Sequence, residues 1–402
     1  MNLFDSFPPT RQEAMARIHA VLPGEYARSR NCIAGAVTCL SPYITHGIVS
    51  LTEVLSGVVA RHALDVQHKF VFELGWREYF RHVWSFRGTG ILSSLHTGPL
   101  PEASYSRIFP ADIRHAATGI PVIDMAVRTL YATGYLHNHA RMWLASYVVH
   151  IRKVHWRVAA DWMYAHLLDG DLASNHLSWQ WVAGTGSSKP YLFNADNVAR
   201  YAPPAWHSPS SVIDQPYDAL DRIARRPGSE ESVVVESGVS NIEPPLSFAP
   251  ALEFGCTHPD AATVSGKDVW LVHPWNLGEV PAALPKDAVT VGVFVTDFHR
   301  RWPWSEKRWR FVCSRMAEIT HVRWEGDAAS IGEALQSART VSATDDPHLR
   351  DWLAHWAECR SAPALFPMID RRCDSFSQWW NKVSRVMGSA AELLRANSVS
   401  YR

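Results

Sequence analysis

Apolar residues recur at helical spacing from Thr118 to Tyr191. Ile120, Ile123, Val127 and Leu130 come first, then Met142, Ala145 and Val149, then Trp162 and Leu167. Each set makes a stripe of period 3.6 and predicts a helix. The polar positions between them do not read as a plain solvated face. Asn138, Arg141, Asp169, Asp171, Asn175 and Gln180 stand among large aromatics. Two readings fit. One is a helical core with buried, satisfied polar groups. The other is a cluster of donors, charge and stacking surface that suits a planar heteroaromatic cofactor with phosphates.

Upstream, Thr10 follows Pro8 and Pro9 as an N-cap, and Ala14, Ile18 and Leu22 give a short helix. Tyr26 to Ser41 reads as irregular, with Gly35 as a hinge, and helices follow at about 48–62 and 69–84. In the second of these, Glu73, Trp76 and Arg77 lie at i, i+3 and i+4 and share one face. Residues 86–117 read as a loop. Residues 201–265 are rich in Pro, Ser and charge and read as a partly disordered linker. Beyond them, apolar runs at 269–273, 288–295, 321–324 and 364–369 predict strands. Helical stretches at 304–319, 328–338 and 347–359 separate the later ones. That alternation predicts a parallel sheet with helices on its faces. No Gly-rich fingerprint follows the first strand, which argues against a separate NAD site.

Composition narrows the picture. A chain of 402 residues, 47% hydrophobic, can build two or three cores. Its 18 Trp exceed what packing ordinarily needs, so stacking or electron transfer would use some of them. Zero net charge excludes a nonspecific polycation. Residues 1–200 carry 18 Lys+Arg against 14 Asp+Glu, and the remainder 21 against 25, so the first half is the mildly basic one. Six cysteines without a CxxC offer no zinc, iron–sulfur or disulfide framework. Asp169 and Asp171 lack the further carboxylates of a calcium loop, and no metal is expected. HNH at 137–139 lacks a nuclease's metal scaffold. With neither a signal peptide nor a membrane-length apolar run, the expectation is a soluble, cytoplasmic monomer.

The string DGDLASNHLSWQW, preceded by LHNHARM and followed by GTGSSKPY, closely resembles the flavin-binding domain of the DNA photolyase and cryptochrome family. YARSRN (26–31), LSPYITHG (40–47) and FELGWREYFRHVW (72–84) extend the match in the family's order, over roughly residues 10–200. The resemblance implies an all-helical FAD domain. By match, Tyr26, Arg30, Val37, Thr38, Leu40 and Ser41 hold the adenine and phosphate end. Cys39 stands where photolyases usually carry Arg. Arg77, Asn138, Arg141, Asp169, Asp171 and Asn175 meet the cofactor, with Asn175 beside flavin N5. Asn there is the photolyase choice, whereas plant cryptochromes carry Asp.

For substrate, the resemblance assigns Glu73 to the edge of a damaged base and Trp76 and Trp181 to stacking walls. Asn138 and Met142 follow the pattern of cyclobutane-dimer enzymes; enzymes of the (6–4) photoproduct usually have His at both. Arg30, Trp76 and His139 take DNA-binding positions. Trp179 and Trp156 match two members of the family's electron-transfer chain. No Trp lies between Trp84 and Trp143 to supply the third, which leaves Tyr105, Trp143 or Trp162. The activity implied is light-driven repair of a flipped pyrimidine dimer by an electron from reduced FAD. The alternative is a cryptochrome-like photoreceptor. The stretch 266–402 is similar to the family's α/β antenna domain, which there precedes the flavin domain. The expected layout is therefore a circular permutation: a helical FAD domain at 1–200, a linker at 201–265 and an antenna-like α/β domain at 266–402. The antenna pigment stays open.

Overall fold

A computed structural model describes residues 7–228 and 241–400. The chain divides into two compact units. Met1–Val21, Thr38–Glu78 and Pro245–Arg402 form one, and Leu22–Val37 with Tyr79–Pro244 the other.

The first unit holds a five-stranded parallel sheet. Its strands are β1 (Asp268–Val272), β2 (Val289–Val295), β3 (Val322–Gly326), β4 (Thr340–Thr344) and β5 (Glu358–Arg360), in the order β3-β2-β1-β4-β5. Val269 of β1 sits opposite Val289 on one side and Val341 on the other. β1 and β2 are almost wholly buried, as strands covered on both faces must be, and their continuous apolar runs follow from that.

The run 364–369, expected as a strand, is not one. Leu365 and Phe366 are buried, but their N–H groups donate to the Glu78 carboxylate, so no ladder forms. Pro367 follows with no N–H to offer. β4 and β5 take its place in the sheet. In the same unit, Thr10 caps the helix Arg11–His19, and Ser50 and Glu53 form a capping box ahead of Leu51–Val59.

The second unit is helical. The helix α1 (Lys69–Arg87) contributes its last nine residues to it. Then come α2 (Pro121–Thr133), α3 (Asn138–Ser146), α4 (Trp156–His166) and α5 (Leu172–Ala183). Val127, Leu130, Trp143, Leu144, Ala160 and Trp179 share its core. α5 is buried around most of its circumference, which marks it as a central helix and explains its weak amphipathic pattern.

Tyr26–Ser29, expected to be irregular, belongs to the helix Pro23–Ser29, with Pro23 in the first turn where its missing N–H is harmless. Gly35 is a close-approach position: a Cβ there would fall 1.9 Å from Ser29 O. The expected loop at 86–117 contains short helical turns at Gly88–Leu92, Glu102–Ser104 and Ala111–Arg114. The stretch 201–265 includes a helix at Tyr217–Arg225, anchored by Lys153 Nζ donating to Ile223 O and Ala224 O. Residues 229–240 of that stretch lie outside the described residues. Among the described residues, no helix is long and apolar enough to cross a membrane.

Candidate functional site

In the helical unit, the turn before α5 brings two carboxylates and two guanidinium groups into pairs. Asp169 accepts at both oxygens from Arg141 Nη2, at 2.9 and 2.8 Å, while Arg141 Nε donates to Leu136 O at 2.7 Å. Asp171 is fully buried. Its Oδ1 caps α5 by accepting from Ser174 N at 2.8 Å, and its Oδ2 accepts from Arg81 Nη2 at 2.7 Å. Arg81 escaped the sequence reading. The available signal was its spacing of four from Arg77 on α1, which puts both on one helical face.

Asn175, one turn into α5, donates from Nδ2 to Ala160 O at 2.8 Å. That bond uses one of the amide's two N–H donors. Ser174 Oγ is buried without a hydrogen-bond partner. Two guanidinium groups, an amide, an unsatisfied hydroxyl and two carboxylates make a donor-rich set. Such groups can hydrogen-bond the phosphates, ribose and ring edge of a flavin dinucleotide. Among the described residues, no cluster of side chains could hold a metal ion.

The same unit places Asn138 and Met142 four apart on α3, with Asn138 Nδ2 3.5 Å from Met142 Sδ and Asn138 exposed. His137 caps α3: its Nδ1 accepts from His139 N at 3.1 Å. Burial, with His139 and Arg141 nearby, drops the His137 pKa to about 4. It is neutral at pH 7, consistent with a structural role. His139 packs against Trp143 and Tyr201, and burial followed by the Arg30 charge holds its pKa below the usual range. Arg30 and His139 therefore lie within electrostatic reach of each other. Tyr26 and Arg30 belong to one short helical stretch, in which Arg30 N donates to Tyr26 O. Val37 N donates to Gly35 O.

Three tryptophans of the unit differ in exposure. Trp179 and Trp156 are buried in the core, whereas Trp181 is 37% exposed and leans on Tyr191 at 5.7 Å. Trp156 Nε1 donates to Ser94 Oγ at 3.0 Å. Trp143 is tied to Asn197, and Trp162 to Tyr131 and Glu243. Tyr105 lines the same cavity as Trp156. Gln180 is structural: it accepts from Leu95 N and donates to Ile91 O, pinning that segment.

In the other unit, Arg77 Nη2 donates to Thr45 Oγ1 at 2.8 Å. Trp76 stacks on Phe376 at 4.0 Å and 12°, and Glu73 is half-buried on the same helix. Leu40 N donates to Thr38 Oγ1, and Ser41 opens a short helix of five residues. Between them Cys39 has φ of 51°, left-handed for a residue with a side chain.

Comparison with known proteins bears on this arrangement. Residues 70–205 match the family described as the FAD binding domain of DNA photolyase. The deoxyribodipyrimidine photo-lyase of Streptomyces griseus is 32% identical over 226 residues, covering 49% of this chain and 47% of that protein. Cryptochrome-1 of Arabidopsis thaliana is 25% identical over 303 residues, covering 65% of this chain and 43% of that one. The crystal structure of an archaeal photolyase from Sulfolobus tokodaii with two FAD molecules is similar with a TM-score of 0.42 and 25% identity. That match covers 53% of this chain and 50% of the other. The chain spans about half the length of the curated relatives it matches.

Proposed function

We propose, from the match of residues 70–205 to the FAD binding domain of DNA photolyase, that this chain binds FAD and repairs cyclobutane pyrimidine dimers in DNA under light. Bound FAD supplies the photoexcited electron, and the protein supplies binding, orientation and electrostatics. Arg141 with Asp169, and Arg81 with Asp171, would hold the cofactor's polar parts. The amide of Asn175 would meet the flavin when FAD is bound, and it has no proton to deliver at neutral pH.

The observation that carries the repair reading is the exposure of Trp181. It is 37% exposed on a helix whose other tryptophan is buried. A large indole left open to solvent is suited to stacking on a base flipped from the duplex. Asn138 and Met142 add a polar and a soft apolar contact. Neither titrates near neutrality, so the pair suits a substrate that needs no acid or base. Arg30 and His139 would meet backbone phosphate.

One observation favours a second reading, a flavin photoreceptor without repair. Trp76, the other expected stacking wall, already has one ring face taken by Phe376. Dark binding discriminates the two. A repair enzyme should prefer an oligonucleotide bearing one dimer over the undamaged strand. Trp181→Ala should reduce that preference by roughly 1–3 kcal/mol, the scale of one base–aromatic stack. Equal affinity for both strands in the wild-type protein points to the photoreceptor.

We further infer that the α/β segment at 266–402 is the antenna-type domain of the family in permuted order. The five-stranded parallel sheet supports this, as does the aromatic packing of Phe376 and Trp380 on Phe72.

A further inference from the structure

Beside Trp156 lies a cavity of about 470 Å³, lined in part by Ser94, Glu102, Tyr105, His155 and Trp156. Its size falls in the usual range of small-molecule sites. Trp156 and Tyr105 give it aromatic walls, and Glu102 and His155 give it polar ones.

The proton on His155 can be located. His155 caps α4, and its Nδ1 accepts from Arg157 N at 3.2 Å. An accepting ring nitrogen carries no proton, so the neutral imidazole carries its proton on Nε2. Burial keeps the ring neutral; the residue is 4% exposed. That Nε2 is buried and has no hydrogen-bond partner. The nearest carboxylate oxygen, Glu102 Oε1, is 3.6 Å away, beyond hydrogen-bond reach. A buried donor left unsatisfied is costly and calls for a partner. Glu102 accepts from Ser94 Oγ at 2.6 Å, which holds its carboxyl below the usual range and therefore ionised. One donor and one acceptor thus stand 3.6 Å apart beside two aromatic rings.

We propose that this cavity binds a small phenol, which acts as terminal electron donor to Trp156. A phenolic oxygen can accept from His155 Nε2–H while its own proton faces Glu102, and the ring fills the aromatic part. The donor role rests on the reading of Trp179 and Trp156 as successive electron donors, both buried in the core of the helical unit. When Trp156 has given an electron to oxidised Trp179, the phenol gives one electron to Trp156. Its hydroxyl proton passes to the Glu102 carboxylate. Trp156 is restored, the phenolic O–H bond is broken, an O–H forms on Glu102, and a neutral phenoxyl radical leaves.

The probe is 4-methylphenol added to the FAD-loaded full chain, with 4-methylanisole and toluene as controls. In the dark, calorimetry should show saturable binding near one per chain, at least tenfold tighter than either control. Glu102 is more than half exposed, so Glu102→Gln should fold normally and bind at least fivefold more weakly. Under anaerobic blue light, flavin reduction should quicken with a half-saturation equal to the dark dissociation constant, and Glu102→Gln should lose that gain. Absent binding, or equally tight binding of toluene, overturns the site. Dark binding without a rate gain overturns the donor role. Photoreduction by a thiol that persists in Trp179→Phe instead sinks the tryptophan path, and the dark titration distinguishes that failure from failure of the site.

Discussion

Asp169 and Asp171 are two residues apart in sequence, yet each is bound to a different guanidinium, Arg141 and Arg81. Removing one partner of a buried pair leaves the other charge uncompensated, at a cost of about 3–5 kcal/mol. Asp169→Ala should therefore destabilise more than Asp169→Ala combined with Arg141→Ala, and denaturant titration of both would show it. The double variant should also purify largely without FAD; equal yellow colour would remove these residues from the cofactor site. Trp179 carries a separate prediction. Trp179→Phe should abolish most thiol-dependent photoreduction yet spare repair by chemically reduced enzyme, because repair draws its electron from the flavin. Flavin absorbance under blue light checks the first half.

Among elements, α1 shows what close packing demands. A Cβ on Gly75 would lie 2.6 Å from Cζ3 of Trp380, a ring wedged among Phe72, Phe366 and Phe376. Gly75→Ala gains helix propensity but must displace a packed indole. It should destabilise by about 1–3 kcal/mol, measurable as a drop in Tm. A neutral result would show that the aromatic cluster yields. The same scale shows what the sequence made legible. β1 and β2 stood out as apolar runs because neighbouring strands and helices bury them, whereas β3 is buried only at Trp324 and was legible only through the short run HVRW. β4 and β5 did not: Thr340–Thr344 is mostly half-exposed and Glu358–Arg360 fully exposed, so neither shows an apolar run. The run at 364–369 misled because burial alone makes a segment apolar, and its backbone bonds go to Glu78 rather than to a ladder. In the candidate site, Arg141, Asp169, Asp171 and Asn175 are legible as polar residues on, or just before, otherwise buried helices. Their pairing was not, because a partner such as Arg81 lies 90 residues away.

Across the whole molecule, acid stability follows from buried histidines. Burial drops the pKa of His137 and His150 to about 4 and of His299 to about 3. All lie below the unfolded value near 6.5, so the unfolded chain binds protons first. Stability is full above pH 6.5 and falls as pH drops towards 4, each histidine contributing up to about 1.4 kcal/mol per pH unit. Tm should decline between pH 7 and 5; a flat profile would mean these rings reach solvent. The whole molecule's proposed task is light-driven repair. It is tested most directly by irradiating the reduced, FAD-loaded chain with two defined oligonucleotides, one carrying a cyclobutane thymine dimer and one a (6–4) photoproduct, and separating products by chromatography. Light should return intact thymines from the cyclobutane dimer, with none in the dark and little or none from the (6–4) lesion, because Asn138 and Met142 offer no acid–base pair. Repair of only the (6–4) lesion, or of neither under light, would contradict it.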